Sequence, residues 1–173
     1  MAESSGMIAS LPACVFALLM IAAGAWDAMT MRIPNWLTGL VAALFFPLAL
    51  ASGMAVAQLG QHMAVGAVLL LVGYLLFSFG FIGGGDAKLM AAAGLWFGYP
   101  QVLPFLVYSA LAGGLLAVVI GLWFMIRMHA EIWGLSRGPP LEQAAPGVPY
   151  GLALAAGALF AFPGTWWMAV WSV

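Results

Sequence analysis

The stretch "GGGDAKLMAAAGLWFGYPQ", residues 83–101, places an aspartate and a lysine directly behind three glycines. The whole chain of 173 residues has only four Lys and Arg and five Asp and Glu, so two charges here are conspicuous. Between the glycines and the "GYPQ" turn, the apolar run 87–99 is about 13 residues, or roughly 20 Å at 1.5 Å per residue. A bilayer core is about 30 Å thick. Whether so short a run crosses a membrane decides the fold.

Outward from it, the chain is 66% hydrophobic and 5% charged, with mean hydropathy +1.13. A soluble domain is about a quarter charged. So much apolar surface cannot be buried in a water-soluble core of this size, so lipid is the solvent. The reading is an all-α, polytopic membrane protein forming one domain over 1–173. Six candidate spans lie at roughly 7–25, 36–54, 63–81, 87–99, 102–126 and 149–171. The breaks carry turn residues: "RIPN" at 32–35, "GQH" at 60–62, "GGGD" at 83–86, "GYPQ" at 98–101, and a loop over 136–149. The stretches 23–28 and 11–14 look like processing sites, but no Lys or Arg precedes them, so 7–24 reads as a retained helix.

Charge bears on the short run. If all six segments cross, Arg32, Lys88, Arg127 and Arg137 share one face, and the opposite loops hold no Lys or Arg. That is the positive-inside pattern, with both termini outside. If 87–99 did not cross, Arg127 and Arg137 would change sides.

The same topology brings Asp27 and Asp86, the two aspartates of the chain, to similar depth on the cytoplasmic side. Taken singly, Asp27 reads as an interfacial anchor and Asp86 as a helix N-cap. Together they read as a site, because ionisable groups at the edge of a span are costly and mark function. Two carboxylates held close do not both ionise easily, so one keeps its proton near neutral pH. The ionised group then takes a proton from water while the protonated one polarises a peptide carbonyl. Glycines 83–85 let an extended peptide lie against such a pair. Two other classes use the same residues. A small ion- or proton-coupled transporter would carry its cargo on the aspartates, though it predicts charges nearer mid-membrane and repeat halves. A structural subunit would use them only to cap and anchor.

Three stretches then resemble one family. "GGGD" at 83–86 fits the GxGD pattern of intramembrane aspartyl peptidases. "GGGDAKLMAAAGLWFG" is similar to the corresponding stretch of the type IV prepilin peptidases. "DAMTMRIPNWLT" at 27–38 resembles that family's first catalytic stretch, and "VPYGLALAAGAL" at 148–159 its Pro-[Phe/Tyr]-Gly element. The resemblance implies an endopeptidase of the bacterial inner membrane. It would remove the short basic leader from prepilins or prepilin-like proteins at the cytoplasmic face, without cofactor or metal. By position, Asp27 and Asp86 become the catalytic pair. Gly83, Gly84, Gly85, Lys88, Arg32, Pro34 and Asn35 become motif support, and Pro149, Tyr150 and Gly151 the cavity wall. Long members carry an N-terminal region with paired CxxC motifs and also methylate. This chain looks like the short form of Flp (tight-adherence) pili, and no N-methyltransferase activity is expected of it. An archaeal preflagellin-type peptidase would share the dyad.

The remaining polar residues read blandly. Net charge −1 gives no case for nucleic acid. Cys14 alone makes no disulfide framework and reads as a small apolar helix residue. His62, in an expected outside loop, and His129, just past the fifth span, have no partner at metal-ligand spacing and read as interfacial. Glu131 and Glu142 fall in an expected cytoplasmic loop over 127–148. The tryptophans, including Trp166, Trp167 and Trp171, fit an aromatic belt, and Tyr150 alone reads the same way.

Overall fold

The short run does form a helix, and it lies at the centre of the molecule. The computed structural model describes residues 2–135 and 147–169, with only the backbone for 2–10 and 169. In chain order the helices are α1 (Ala2–Thr30), α2 (Asn35–Ala51), α3 (Val56–Ser78), α4 (Gly84–Phe97), α5 (Val102–Ile132) and α6 (Tyr150–Ala161). A 3-10 turn, Phe162–Gly164, and a short α7, Trp166–Ala169, follow. No strand occurs among the described residues.

α4 packs against α2, α3 and α6, and α6 in turn packs against α1 and α5. Close approach comes from small residues, as expected where the surrounding solvent offers no hydrophobic drive between helices. A side chain at Gly73 of α3 would sit 3.0–3.2 Å from Ala87 of α4, and one at Gly157 of α6 would strike the α5 backbone at Ser109. Large apolar side chains such as Leu71, Tyr74, Leu111 and Leu115 face outward instead.

At 14 residues, α4 ends inside the protein, and the carbonyls of its last turn need donors. The Gly98 N–H reaches Gly94 O (3.1 Å), His62 Nδ1 donates to Leu95 O (2.6 Å), and Trp167 Nε1 donates to Trp96 O (2.7 Å). Trp96 Nε1 donates to Val41 O of α2 (2.9 Å). Gly98 has φ +62° and a Cβ there would meet the His62 ring within 2.6–2.8 Å, so only glycine ends the helix at this point. Phe16, Phe45, Phe97, Phe105, Phe162, Trp96 and Trp167 pack around this end. The aromatic core therefore grips the C-terminal end of α4, while Asp86 lies at the other end.

Several expectations are corrected. The turn between α2 and α3 is at 52–55, where Gly53 takes φ +75°, and "GQH" at 60–62 lies within α3. His62 is consequently buried, 3% exposed, and is a capping donor, not an interfacial loop residue. His129 and Glu131 belong to α5, which runs on to Ile132, and Glu131 lies 3.9 Å from Arg127 one turn back. The last segment is broken by Pro163 and the 3-10 turn. Arg137, Glu142 and Trp171 lie outside the described residues. Among the described residues, three helices are long and apolar enough to cross a membrane: Leu11–Thr30, Val56–Ser78 and Val102–Ile132. Asn35–Ala51 and Tyr150–Gly164 are shorter apolar helices. The chain is thus an all-helical membrane protein over its described residues, in which three helices have full spanning length and the others are shorter.

Candidate active site

Asp27 lies in the last turn of α1, which runs about one turn further than its apolar stretch required. The helix stops at Met31, whose N–H bonds to Asp27 O (2.7 Å) and whose φ is +54°, a left-handed conformation unusual for a non-glycine residue. The Thr30 hydroxyl lies 2.8 Å from Trp26 O and 3.0 Å from Arg32 O, which pins the turn. Pro34 caps α2, accepting from the Leu37 and Thr38 N–H groups. The chain is thereby turned back so that Ile33 enters the protein beside Asp27.

Asp86 comes from the start of α4. The sequence suggested that it caps this helix. Gly83 is the cap instead, and Asp86 stands three residues in, its Oδ2 accepting from the Gly83 N–H at 3.1 Å. The helix begins about a turn earlier than expected, so Gly84 and Gly85 are helical, and the missing side chain of Gly85 lets Ile33 pack against it.

The two carboxyls line one cleft of about 270 Å³, together with Met31, Arg32, Ile33, Gly83, Gly84 and Gly85. Asp27 is buried and Asp86 half-buried. Neither makes an ion pair among the described residues. Burial, and then the negative charge of Asp27, push the Asp86 carboxyl up to about 6, against the pull of the Gly83 N–H. Asp27 Oδ2 accepts from the Gly151 N–H at 2.7 Å, across from the first turn of α6. No group of three His, Cys, Asp or Glu among the described residues could hold a metal ion.

The support residues divide. Gly83, Gly84, Gly85 and Arg32 line the cleft, and Gly151 touches Asp27. Lys88 and Asn35 pair with one another instead (Nζ to Oδ1, 2.8 Å), tying α4 to α2 beside a separate apolar groove. Pro34 and Pro149 are helix caps. Tyr150 lines a groove between α4, α5 and α6, so it is not part of the aspartate cleft wall. Ile33 was not singled out from the sequence. It is buried between Gly85, where a Cβ would lie 3.1 Å from it, and Gly151, where one would lie 2.6 Å from it. The signal was its place in "RIPN", between a charged residue and a helix cap, where a buried apolar side chain has no amphipathic pattern to announce it.

A model of the type IV leader peptidase family matches residues 14–118, which include Asp27 and the 83–86 glycines and aspartate. The match stops short of α6, so the 148–159 element stands on geometry alone. No curated protein and no solved structure matches the chain.

Proposed function

We propose that this chain, which belongs to the type IV leader peptidase family, is an aspartyl endopeptidase that removes the basic leader from prepilins or prepilin-like proteins. One observation carries the reading. The two aspartates, far apart in the sequence, line one cleft together with Gly83, Gly84 and Gly85. In this account the reacting form has Asp86 protonated, which its value of about 6 makes accessible near neutral pH, and Asp27 ionised. Asp27 takes a proton from a water whose oxygen attacks the scissile carbonyl carbon, while Asp86 donates its proton to the carbonyl oxygen. The tetrahedral intermediate then collapses: the proton held by Asp27 passes to the leaving nitrogen, the C–N bond breaks, and one of the two hydroxyls returns its proton to Asp86, leaving a carboxyl product and the starting protonation state. Gly83 and Gly84 leave room for an unwound peptide, which is tolerated at a membrane only in a polar cavity.

The accompanying topology is that the apolar parts of α1 to α6 all pass the membrane, α4 with its ends recessed. Both termini are then outside, and the cleft opens at the cytoplasmic face of a bacterial inner membrane. Arg32 and Lys88, both near the cleft end of the molecule, support that orientation.

The test supplies membranes carrying the protein with a prepilin of basic leader and apolar helix, and with a copy whose leader Lys and Arg are replaced by Gln. The account expects one cut, at the leader boundary, in the first and much slower cutting in the second. No cut in either, with folded protein present, would overturn it.

A further inference from the structure

Gly151 meets Asp27 in two ways. Its N–H donates to Asp27 Oδ2 at 2.7 Å in a buried bond. Its missing side chain leaves the space in which the carboxyl lies. A Cβ at 151 would stand 2.8 Å from Asp27 Oδ2, 2.9 Å from Asp27 Cβ and 2.6 Å from Ile33 Cδ1. Real Cβ atoms are not found so close to other heavy atoms.

We propose that Gly151 is a positioning residue for the reaction, fixing the Asp27 carboxyl against the start of α6 so that it faces the cleft it shares with Asp86. The proposal rests on the reading of Asp27 and Asp86 as the catalytic pair. Gly151 is not among the residues that line the cleft, and acts through Asp27. α1 and α6 pack along their length, with Gly24 of α1 against Ala155 of α6, so the contact is made between two rigid elements. The Ile33 contact offers a second explanation, in which glycine is needed only to make room for Ile33. The two explanations separate experimentally, because Ile33→Val removes Cδ1 and leaves both Asp27 contacts in place.

The experiment measures kcat and KM for cleavage of a basic-leader prepilin by wild type, Gly151→Ala, Ile33→Val and the double variant. Folded amounts are matched by thermal melting in detergent. Misplacing a catalytic group by an ångström costs on the order of 100-fold in rate. The expected result is a kcat lower by about that factor in Gly151→Ala with KM within about twofold, and no recovery in the double variant relative to Ile33→Val alone. If Gly151→Ala accumulates only in the Ile33→Val background, the double variant against Ile33→Val makes the same comparison. Recovery in the double variant, or wild-type kcat in Gly151→Ala, would overturn the positioning role and leave the peptidase reading standing. No cleavage by wild type would overturn both.

Discussion

Asp86 is held where its charge is unfavourable, and this has a consequence for stability as well as for catalysis. Its carboxyl is raised to about 6 by burial and by Asp27. An unfolded aspartate titrates near 3.9. A group whose folded value is raised gives stability that is present below about pH 4 and lost as pH rises through about 6. Above that, deprotonation of Asp86 costs folding energy. Melting in detergent is therefore expected to show higher stability at pH 4 than at pH 7 from this group. Asp86→Asn is expected to remove that part of the pH dependence and to melt higher than wild type at pH 7, while losing all cleavage. An unchanged pH profile in Asp86→Asn would contradict the assignment. Both aspartates were legible in the sequence, since they are the chain's two Asp residues and the glycines mark one of them. Gly151 was named by resemblance as part of the cavity wall, but its contact with Asp27, 124 residues away and made by a residue with no side chain, was not legible. Lys88, Asn35 and Tyr150 read as motif residues and line neighbouring grooves, a placement that depends on which way each side chain leaves its helix.

Among the elements, α4 is the unusual one, and its C-terminal end explains why. A helix of 14 residues cannot bring its last carbonyls to water across a bilayer, so His62 and Trp167 supply donors inside the protein. Trp167→Phe keeps most of the ring packing and removes only the N–H. It leaves a buried carbonyl unpaired, and the expected cost is about 1–3 kcal/mol of stability. Because Asp86 lies at the other end of α4, kcat per folded molecule should stay at the wild-type value, measured beside the melting curve. A normal melting temperature for Trp167→Phe would mean that the carbonyl finds another donor. The existence of most helices was legible from apolar runs, but their ends were not. The sequence put a break at Gly60, which the helix absorbs, because glycine is common in membrane helices and its presence alone does not say that the chain turns. The break is at Gly53, which the backbone uses in its left-handed form. His62 was misread for the same reason, since a turn at 60–62 would have exposed it.

At the scale of the whole molecule, the aromatic core grips one end of α4 and leaves the aspartate end open as a cleft. The positive charges of Arg32 and Lys88 sit at that open end, which orients it toward the cytoplasm under the proposed topology. In a Cys14→Ser background, Ala55→Cys and Gln101→Cys are expected to react with a membrane-impermeant maleimide added to intact spheroplasts. Met29→Cys, at the aspartate end and exposed, is expected to react only after lysis. The reverse pattern would invert the molecule and move the cleft to the wrong face for a cytoplasmic leader. Membrane residence was legible from composition alone. The number of full-length spans was not, because α2, α4 and α6 are short helices whose ends are completed by caps and by their neighbours. The central claim is that Asp27 and Asp86 cut a peptide together. Its most direct test is cleavage of a basic-leader prepilin by wild type, Asp27→Asn and Asp86→Asn at matched folded levels. The account predicts that wild type releases the leader and that each variant leaves the precursor intact, since an amide cannot exchange the proton. Cleavage at the wild-type rate by either variant would contradict it and return that aspartate to a structural role.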